Sequence, residues 1–316
     1  MDSPNILITN YCNQNCPFCF ARREMKSESN QMRAMTLKQF KKIATKVKKH
    51  HSFLRLMGGE PLIHPQAKSI LTYAAKHFAH IQIFTNGIFS DKLNVLFQKP
   101  SSYQLIVNCS TPAYRANPKI KQEIIRHMMN AEGAARAVSI TLQKGEDGKQ
   151  TAKNIMTEMP FIHDFRVGIA NPIVGMKDAN PFTALGLLGK NLTLLVREIK
   201  KDKPTARIVF NCGFIRCMFT NKEYTYVKKH VAMIGWGCLG KQASFDLGTD
   251  EKAFFCFPFS DNKIDSQKLS VSKTSGTLFF EHYKRWKCSA YEKCKTCKWH
   301  GFTLNKCPGP CLGLRG

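Results

Sequence analysis

The chain has 316 residues, 48 Lys and Arg against 22 Asp and Glu, a formal charge of +26, and 43% hydrophobic residues. That length supports a sizeable core and about two domains, and the lack of any run of about 18 apolar residues excludes a membrane-spanning helix. With no signal-peptide pattern the default is a cytoplasmic chain, in which 13 Cys point to metal or cluster ligation rather than to disulfides. The Lys and Arg are spread along the whole sequence, which fits either a solvated surface or a long-range positive field that draws an acidic peptide or RNA.

Asn5 to Ile8 reads as a short buried strand, and at its carboxyl end come Cys12, Cys16 and Cys19, spaced C-x3-C-x2-C. Three thiolates on so short a loop can wrap one corner of an iron–sulfur cube, one ligand short of the four that an electron-transfer [4Fe–4S] cluster takes. One iron is thereby left for a substrate or cofactor. A zinc knuckle would need a fourth Cys or His nearby, and none follows at suitable spacing.

Ala21 to Met35 is polar and reads as a flexible lead-in. Thr36 and Gln39 make a capping box for a helix whose apolar positions are Leu37, Phe40, Ile43, Ala44 and Val47. Phe53 to Met57 is the next strand, ending in Gly58-Gly59-Glu60-Pro61. A helix from Gln66 to Phe78 precedes a strand from His80 to Phe84, which ends in Thr85-Asn86-Gly87. A short helix around Asp91 to Phe97 leads to the strand Tyr103 to Asn108 and then to Cys109-Ser110-Thr111. Asn117 caps a helix through Glu132, Val138 to Leu142 is a fifth strand, and Thr151 to Met159 is a helix. A sixth strand, Phe165 to Ala170, ends at Asn171-Pro172, and a last helix spans Leu185 to Lys200. Alternating strands and helices predict an α/β fold with a parallel sheet, whose ligands gather at the carboxyl ends of the strands.

C-x3-C-x2-C followed one strand–helix unit later by Gly-Gly-Glu-Pro resembles the signature of the radical S-adenosylmethionine (radical SAM) enzymes. The resemblance implies a partial (β/α)6 TIM-like barrel, with a [4Fe–4S] cluster held by Cys12, Cys16 and Cys19 and S-adenosylmethionine chelating its open iron. One electron from an external reductant then cleaves the sulfonium to a 5'-deoxyadenosyl radical. It also implies S-adenosylmethionine contacts from Phe18, Gly58, Gly59, Glu60, Asn86, Ser110 and Asn171. Ser110-Thr111-Pro112-Ala113 departs from the Ser-x-Asp-Gly of many relatives, which leaves the carboxylate contact unassigned.

Beyond Lys203 the composition changes: nine of the 13 Cys fall between Cys212 and Cys311, and the segment reads as short aromatic-rich runs and turns. The expected domains are residues 1–203 and residues 204–316. Cys238, a turn near Gly248, Cys256, Cys294-x2-Cys297 and Cys307-x3-Cys311 resemble a SPASM domain, the extension that holds auxiliary [4Fe–4S] clusters. Two departures stand out: nine residues separate Cys297 from Cys307 where five are usual, and no Cys follows Cys311. With Cys288 replacing that last ligand, Cys217, Cys238, Cys256 and Cys311 hold one cluster, and Cys288, Cys294, Cys297 and Cys307 the other. Cys212 is spare or exchanges roles with Cys217, and a one-cluster form stays open. So does a zinc ribbon on the last four Cys with His300, whose Trp286 and Trp299 would suit stacking on single-stranded RNA.

The expected function is hydrogen abstraction from a ribosomally made precursor peptide, giving a cross-link, thioether, epimerised residue or backbone excision. With the first barrel strand at the very start of the chain, a separate leader-binding protein is expected to present the precursor, and an acidic leader suits the charge. The competing readings are a radical SAM dehydrogenase of a small molecule or of a protein Ser or Cys residue, an RNA-modifying enzyme, and a zinc-containing nucleic-acid-binding protein. No catalytic acid or base is assigned. His64, His163 and Asp164 read as structural, while Tyr114 and Arg115 are weak pocket candidates.

Overall fold

The computed structural model describes residues 3–19, 21, 33–143, 145–170, 188–236, 245–266, 270–288, 291–301 and 306–312. In chain order the elements are β1 (Asn5–Leu7), α1 (Leu37–Lys48), β2 (Phe53–Met57), α2 (Ala67–His77), β3 (His80–Thr85), α3 (Val95–Gln98), β4 (Tyr103–Asn108), α4 (Pro112–Ala116), α5 (Pro118–Asn130), β5 (Ala135–Leu142), α6 (Gly148–Glu158), β6 (Asp164–Ile169), α7 (Leu188–Asp202), β7 (Arg207–Phe214), α8 (Asn221–His230), β8 (Met233–Trp236), β9 (Asp246–Leu247), β10 (Lys252–Phe254), β11 (Ile264–Asp265), α9 (Val271–Cys288) and α10 (Glu292–Lys295). By their contacts they form two compact units, Met1–Arg136 with Gln242–His282, and Ala137–Lys241 with Tyr283–Gly316. These units group residues by proximity, whereas the boundary at 203/204 groups them by composition.

In the first unit β1 to β4 run parallel in sequence order, and β1 also pairs in parallel with β9, beyond which β10 and β11 are antiparallel. Period-2 alternation sends Leu54, Leu56, Ile81, Ile83 and Leu105 to one fully buried face, while Arg55 and Gln82 are half-buried on the other. Thr36 caps α1 through the expected box with Gln39, and the helix buries Phe40, Ile43, Ala44 and Val47. The described part of the expected lead-in is ordered by pairing: the Met35 N–H donates to the Ile8 carbonyl (2.8 Å) and the Asn10 N–H to the Arg33 carbonyl (3.0 Å). Residues 22–32 lie outside the described residues.

In the second unit β5 to β8 are all parallel, so the parallel pattern continues two strands past the sixth. Val138, Ile140, Phe165, Val167, Ile208 and Phe210 are buried on one face. α6 meets α7 so closely that a Cβ on Gly148 would fall 2.0 Å from the Asn191 carbonyl oxygen, which leaves room only for glycine.

The expectation of short runs and turns after Lys203 is corrected by α8 and by the 18-residue α9. The buried stripe of α9 is Val271, Thr274, Ser275, Leu278 and His282, so polar residues occupy most of its core-facing positions and blur the hydrophobic period. No described helix is long and apolar enough to cross a membrane.

Candidate active site

The loop carrying Cys12, Cys16 and Cys19 leaves β1 clamped on both sides. Ala34 bridges Thr9 on one side. On the other, the Gly59 N–H donates to the Thr9 carbonyl (2.9 Å) and the Glu60 N–H to the Tyr11 carbonyl (2.8 Å). A Cβ on Gly58 would lie 2.3 Å from the Thr9 oxygen and one on Gly59 2.0 Å from the Tyr11 oxygen. The loop's own backbone therefore demands both glycines, whatever ligand lies beyond them.

Within the loop the Cys19 N–H donates to the Cys16 carbonyl (3.1 Å), closing C-x2-C as a turn, and Phe18 is half-buried in it. All three thiols are half-buried. Burial pushes Cys12 up to about 11 and Cys16 up to about 12, and like-charge repulsion pushes in the same direction, from Glu60 and Cys19 at Cys12 and from Cys19 and Cys12 at Cys16. Three thiolates are stable here only beside a compensating cation. Soft donors that repel one another when ionised suit an iron–sulfur cluster, so the residues present fit that group.

Glu60 is buried at 1% exposure and braces the loop from below. Its Oε1 accepts from the Leu62 N–H (3.0 Å) and the Thr85 hydroxyl (2.7 Å), and its Oε2 from the Asn86 N–H (2.6 Å). Burial raises the carboxyl to about 7, against the pull of these three hydrogen bonds. Asn86 transmits the brace to the loop: its side-chain amide donates to Asn13 Oδ1 (2.7 Å) and reaches Cys12 Sγ at 3.9 Å, while its Oδ1 accepts from the Ile88 N–H (2.9 Å).

Ser110 is buried just past β4, its N–H donating to Asn108 Oδ1 (3.0 Å). Asn171 lies outside the described residues. His64 holds Met35 and Gln66: its Nε2 is 2.9 Å from the Met35 carbonyl oxygen, and its Nδ1 accepts from the Gln66 N–H (2.9 Å). In the second unit Asp164 pairs with Arg207 (3.5 Å) and the His163 carbonyl accepts from the Arg207 N–H (2.8 Å), so both tie β6 to β7. Tyr114 is buried, with the Lys121 ammonium 5.5 Å from its ring centre.

The second unit contains a cavity of about 190 Å³ lined by four thiols, Cys217, Cys294, Cys297 and Cys307. That is roughly ten times or more the free volume a single water needs. The Cys297 N–H donates to the Cys294 carbonyl (3.1 Å), repeating the turn of the amino-terminal C-x2-C. The Arg216 N–H donates to Cys307 Sγ (3.4 Å). Cys217 is exposed as a residue, yet desolvation at its sulfur raises the thiol, as burial raises Cys307, and each is also raised by the charge of Cys297. Cys288 is exposed at the end of α9 and is absent from this lining. Cys256, in the first unit, is half-buried beside Phe257, and Cys311 is half-buried where its carbonyl accepts from the Tyr291 hydroxyl (3.3 Å). Cys238 and the Cys212 side chain lie outside the described residues. Arg216, which also lines the cavity, went unread in the sequence: one more Arg in so basic a chain carries no pattern.

Among the described residues, no three His, Cys, Asp or Glu side chains are placed to hold a single metal ion.

Comparison with known proteins locates this arrangement. Residues 6–160 match the profile of the Radical SAM superfamily. The subtilosin biosynthesis protein AlbA of Bacillus subtilis is 29% identical over 104 residues, 33% of this chain and 22% of that protein. A 7,8-dihydro-6-hydroxymethylpterin dimethyltransferase of Methanocaldococcus jannaschii is 30% identical over 96 residues, 29% of this chain and 18% of that protein. The chain thus spans about a fifth of the length of the curated relatives it matches. Among solved structures, Streptococcus suis SuiB bound to S-adenosylmethionine superposes with a TM-score of 0.69 at 15% identity, covering 98% of this chain and 72% of that one. The structure of anSMEcpe with bound AdoMet and Kp18Cys peptide gives 0.64 at 15% identity, covering 98% and 90%. At that identity the likeness establishes the radical SAM fold.

Proposed function

Residues 6–160 being a radical SAM domain, we propose that this chain is a radical SAM enzyme that modifies a ribosomally made precursor peptide by hydrogen abstraction. The observation that carries the reading is the trio Cys12, Cys16 and Cys19, clamped by Gly58-Gly59-Glu60 and touched by the Asn86 amide. When bound, a [4Fe–4S] cluster with S-adenosylmethionine on its open iron supplies a 5'-deoxyadenosyl radical that takes hydrogen from an unactivated C–H bond.

The chain's own part is binding, orientation and shielding. Cys12, Cys16 and Cys19 hold the cluster. Gly58 and Gly59 let the end of β2 lie flush against the loop, and Phe18 walls one side of it. Glu60 fixes the loop's height through Thr85 and Asn86, and the Asn86 amide offers a donor to the Cys12 sulfur, which lowers the charge the thiolate presents. Ser110 and Asn171 complete the S-adenosylmethionine contacts at the strand ends.

The peptide substrate is supported by what the similar proteins are: AlbA serves subtilosin biosynthesis, and SuiB has been solved bound to its precursor peptide SuiA. Residues 204–316 form the auxiliary-cluster region, a separate leader-binding protein presents the precursor, an external one-electron reductant feeds the first cluster, and the reaction takes place in the cytoplasm. Dehydrogenation of a protein Cys or Ser residue is the second reading, favoured by the likeness to a structure carrying a Kp18Cys peptide.

The test is made under anaerobic conditions with tagged full-length protein retained from its own cell extract. Mass spectrometry of what it holds should find a precursor peptide, and dithionite with S-adenosylmethionine should yield 5'-deoxyadenosine. Retained protein that contains zinc without iron and leaves S-adenosylmethionine intact, with Cys12→Ala behaving like wild type, would refute the proposal.

A further inference from the structure

The four-thiol cavity of the second unit has a charge problem that points to its occupant. Arg216 is 8% exposed, yet no Asp or Glu is among the described residues that line the cavity. Its Nη1 donates to the Phe219 carbonyl (2.9 Å) and its Nη2 to Asn221 Oδ1 (2.7 Å), and its guanidinium lies 4.1 Å from the Tyr224 ring centre and 5.3 Å from that of Trp299. These neutral partners fix the group in place without neutralising it. Its Nε is buried with no hydrogen-bond partner, and so is His300 Nε2 on the same lining. Lys293 adds a second cation. An unspent N–H on a buried cation therefore lies among four sulfurs. A four-thiolate [4Fe–4S]2+ site carries about two negative charges and exposes sulfide acceptors, which answers both needs at once.

We propose that Cys217, from the connection after β7, joins Cys294, Cys297 and Cys307 as the fourth ligand of an auxiliary [4Fe–4S] cluster, with Arg216 as the positioning residue that donates to its sulfurs. This deepens the reading above and rests on it. It departs from the expected grouping, in which Cys288 supplies the fourth ligand. Both thiols are exposed, but Cys217 lines the cavity and follows Arg216, whose own N–H already reaches Cys307, whereas Cys288 stands at the end of α9 outside that lining. The fourth ligand would thus come from upstream, after β7, rather than from α9.

The Arg216 donor has a readable consequence. Reduction by one electron adds a negative charge to the cluster, and a buried cation with a free hydrogen-bond donor stabilises that form more than the oxidised one. Loss of that donor lowers the midpoint potential.

The experiment uses full-length protein purified anaerobically in a Cys12→Ala/Cys16→Ala/Cys19→Ala background, so that iron reports the auxiliary sites alone. Cys217→Ala should lose one cluster's share of iron and sulfide or convert it to a three-iron form visible by EPR when oxidised. Cys288→Ala should lose nothing. In potentiometric EPR titration, Arg216→Gln should keep iron but shift one couple to lower potential, with Arg216→Lys recovering part of the shift. Circular dichroism confirms that each variant is folded, and Cys217→Ser repeats the ligand test with a smaller change. Full iron in Cys217→Ala, loss in Cys288→Ala, zinc in the site, or an unmoved couple in Arg216→Gln would overturn the proposal. Failure of the wider reading shows separately, as absence of S-adenosylmethionine cleavage by wild type.

Discussion

Glu60 is a carboxylate committed to structure before any ligand arrives. Leu62, Thr85 and Asn86 all donate to it, and burial holds it near 7 where an unfolded chain would ionise it near 4.5. Between those values the folded protein keeps a proton that the unfolded chain has released, so stability declines as pH rises through the window and levels off above it. Glu60→Gln removes the titration. The stability of wild type relative to Glu60→Gln is therefore expected to fall by on the order of 2–3 kcal/mol from pH 5 to pH 8, read by anaerobic urea denaturation. A difference that does not change with pH would exclude Glu60 as the titrating group. His64 behaves in the opposite sense. Burial lowers it from its ordinary value of 6.5, the neutral ring bridging Met35 and Gln66. Its contribution is present above 6.5 and lost as pH falls below it. His64→Ala should cost about 1–3 kcal/mol at pH 8 and leave bound iron unchanged, which iron assay alongside denaturation checks.

At the scale of elements, the Gly58-Gly59 turn and the cysteine loop are one unit, because backbone meets backbone with no space for a side chain. Gly59→Ala would force a Cβ into the Tyr11 carbonyl, and the loop has to lift away from β2. The expected result is loss of most of the amino-terminal iron with auxiliary iron retained, measured by iron assay and EPR against the Cys12→Ala variant. Retention of the first cluster would show that the loop tolerates displacement. The first six strands were legible because each is a short apolar run closed by a turn: Phe53–Met57 and Tyr103–Asn108 stand where their residues placed them. Thr36 and Gln39 announced α1 through side chains that cap it. α9 was not legible, since Thr274, Ser275 and His282 take core positions that a hydrophobic period leaves to aliphatic residues. The glycine motif was legible as a motif, but its steric reason needed the Thr9 and Tyr11 carbonyls, which only the register of β1 on β2 brings near. Cys217 was read as a ligand of the other cluster, and its place beside Cys294, Cys297 and Cys307 was equally hidden: spacing along the chain pairs near neighbours, and the closure of a cavity from the connection after β7 is a tertiary fact.

For the whole molecule the charge is the property that local structure leaves unspent. With 48 cationic side chains and 22 acidic ones, the whole excess of +26 is left without an acidic partner even if every acid is paired one to one. Several acids are already used: Asp91 binds Arg126 and His127, and Glu251 binds Lys42 and Gln39. Those pairs stabilise the fold locally and leave the net field of the chain unchanged. A field of that size acts on encounter more than on the final contact, because it extends over a Debye length of about 10 Å at 0.1 M salt and only about 3 Å at 1 M. An acidic precursor peptide should accordingly associate roughly 10- to 100-fold more slowly when salt is raised from 50 to 500 mM, with dissociation changing far less. Stopped-flow fluorescence with a labelled precursor measures both rates, and a precursor whose leader carboxylates are changed to amides should lose the salt dependence. A salt slope that instead persists with the amidated leader would locate the attraction elsewhere in the peptide, and one confined to dissociation would mean that the charge holds the bound state rather than gathering the substrate. Charge that gathers without specifying leaves selection to the peptide segment that reaches the cysteine loop, so variants of that segment should change turnover at constant association rate.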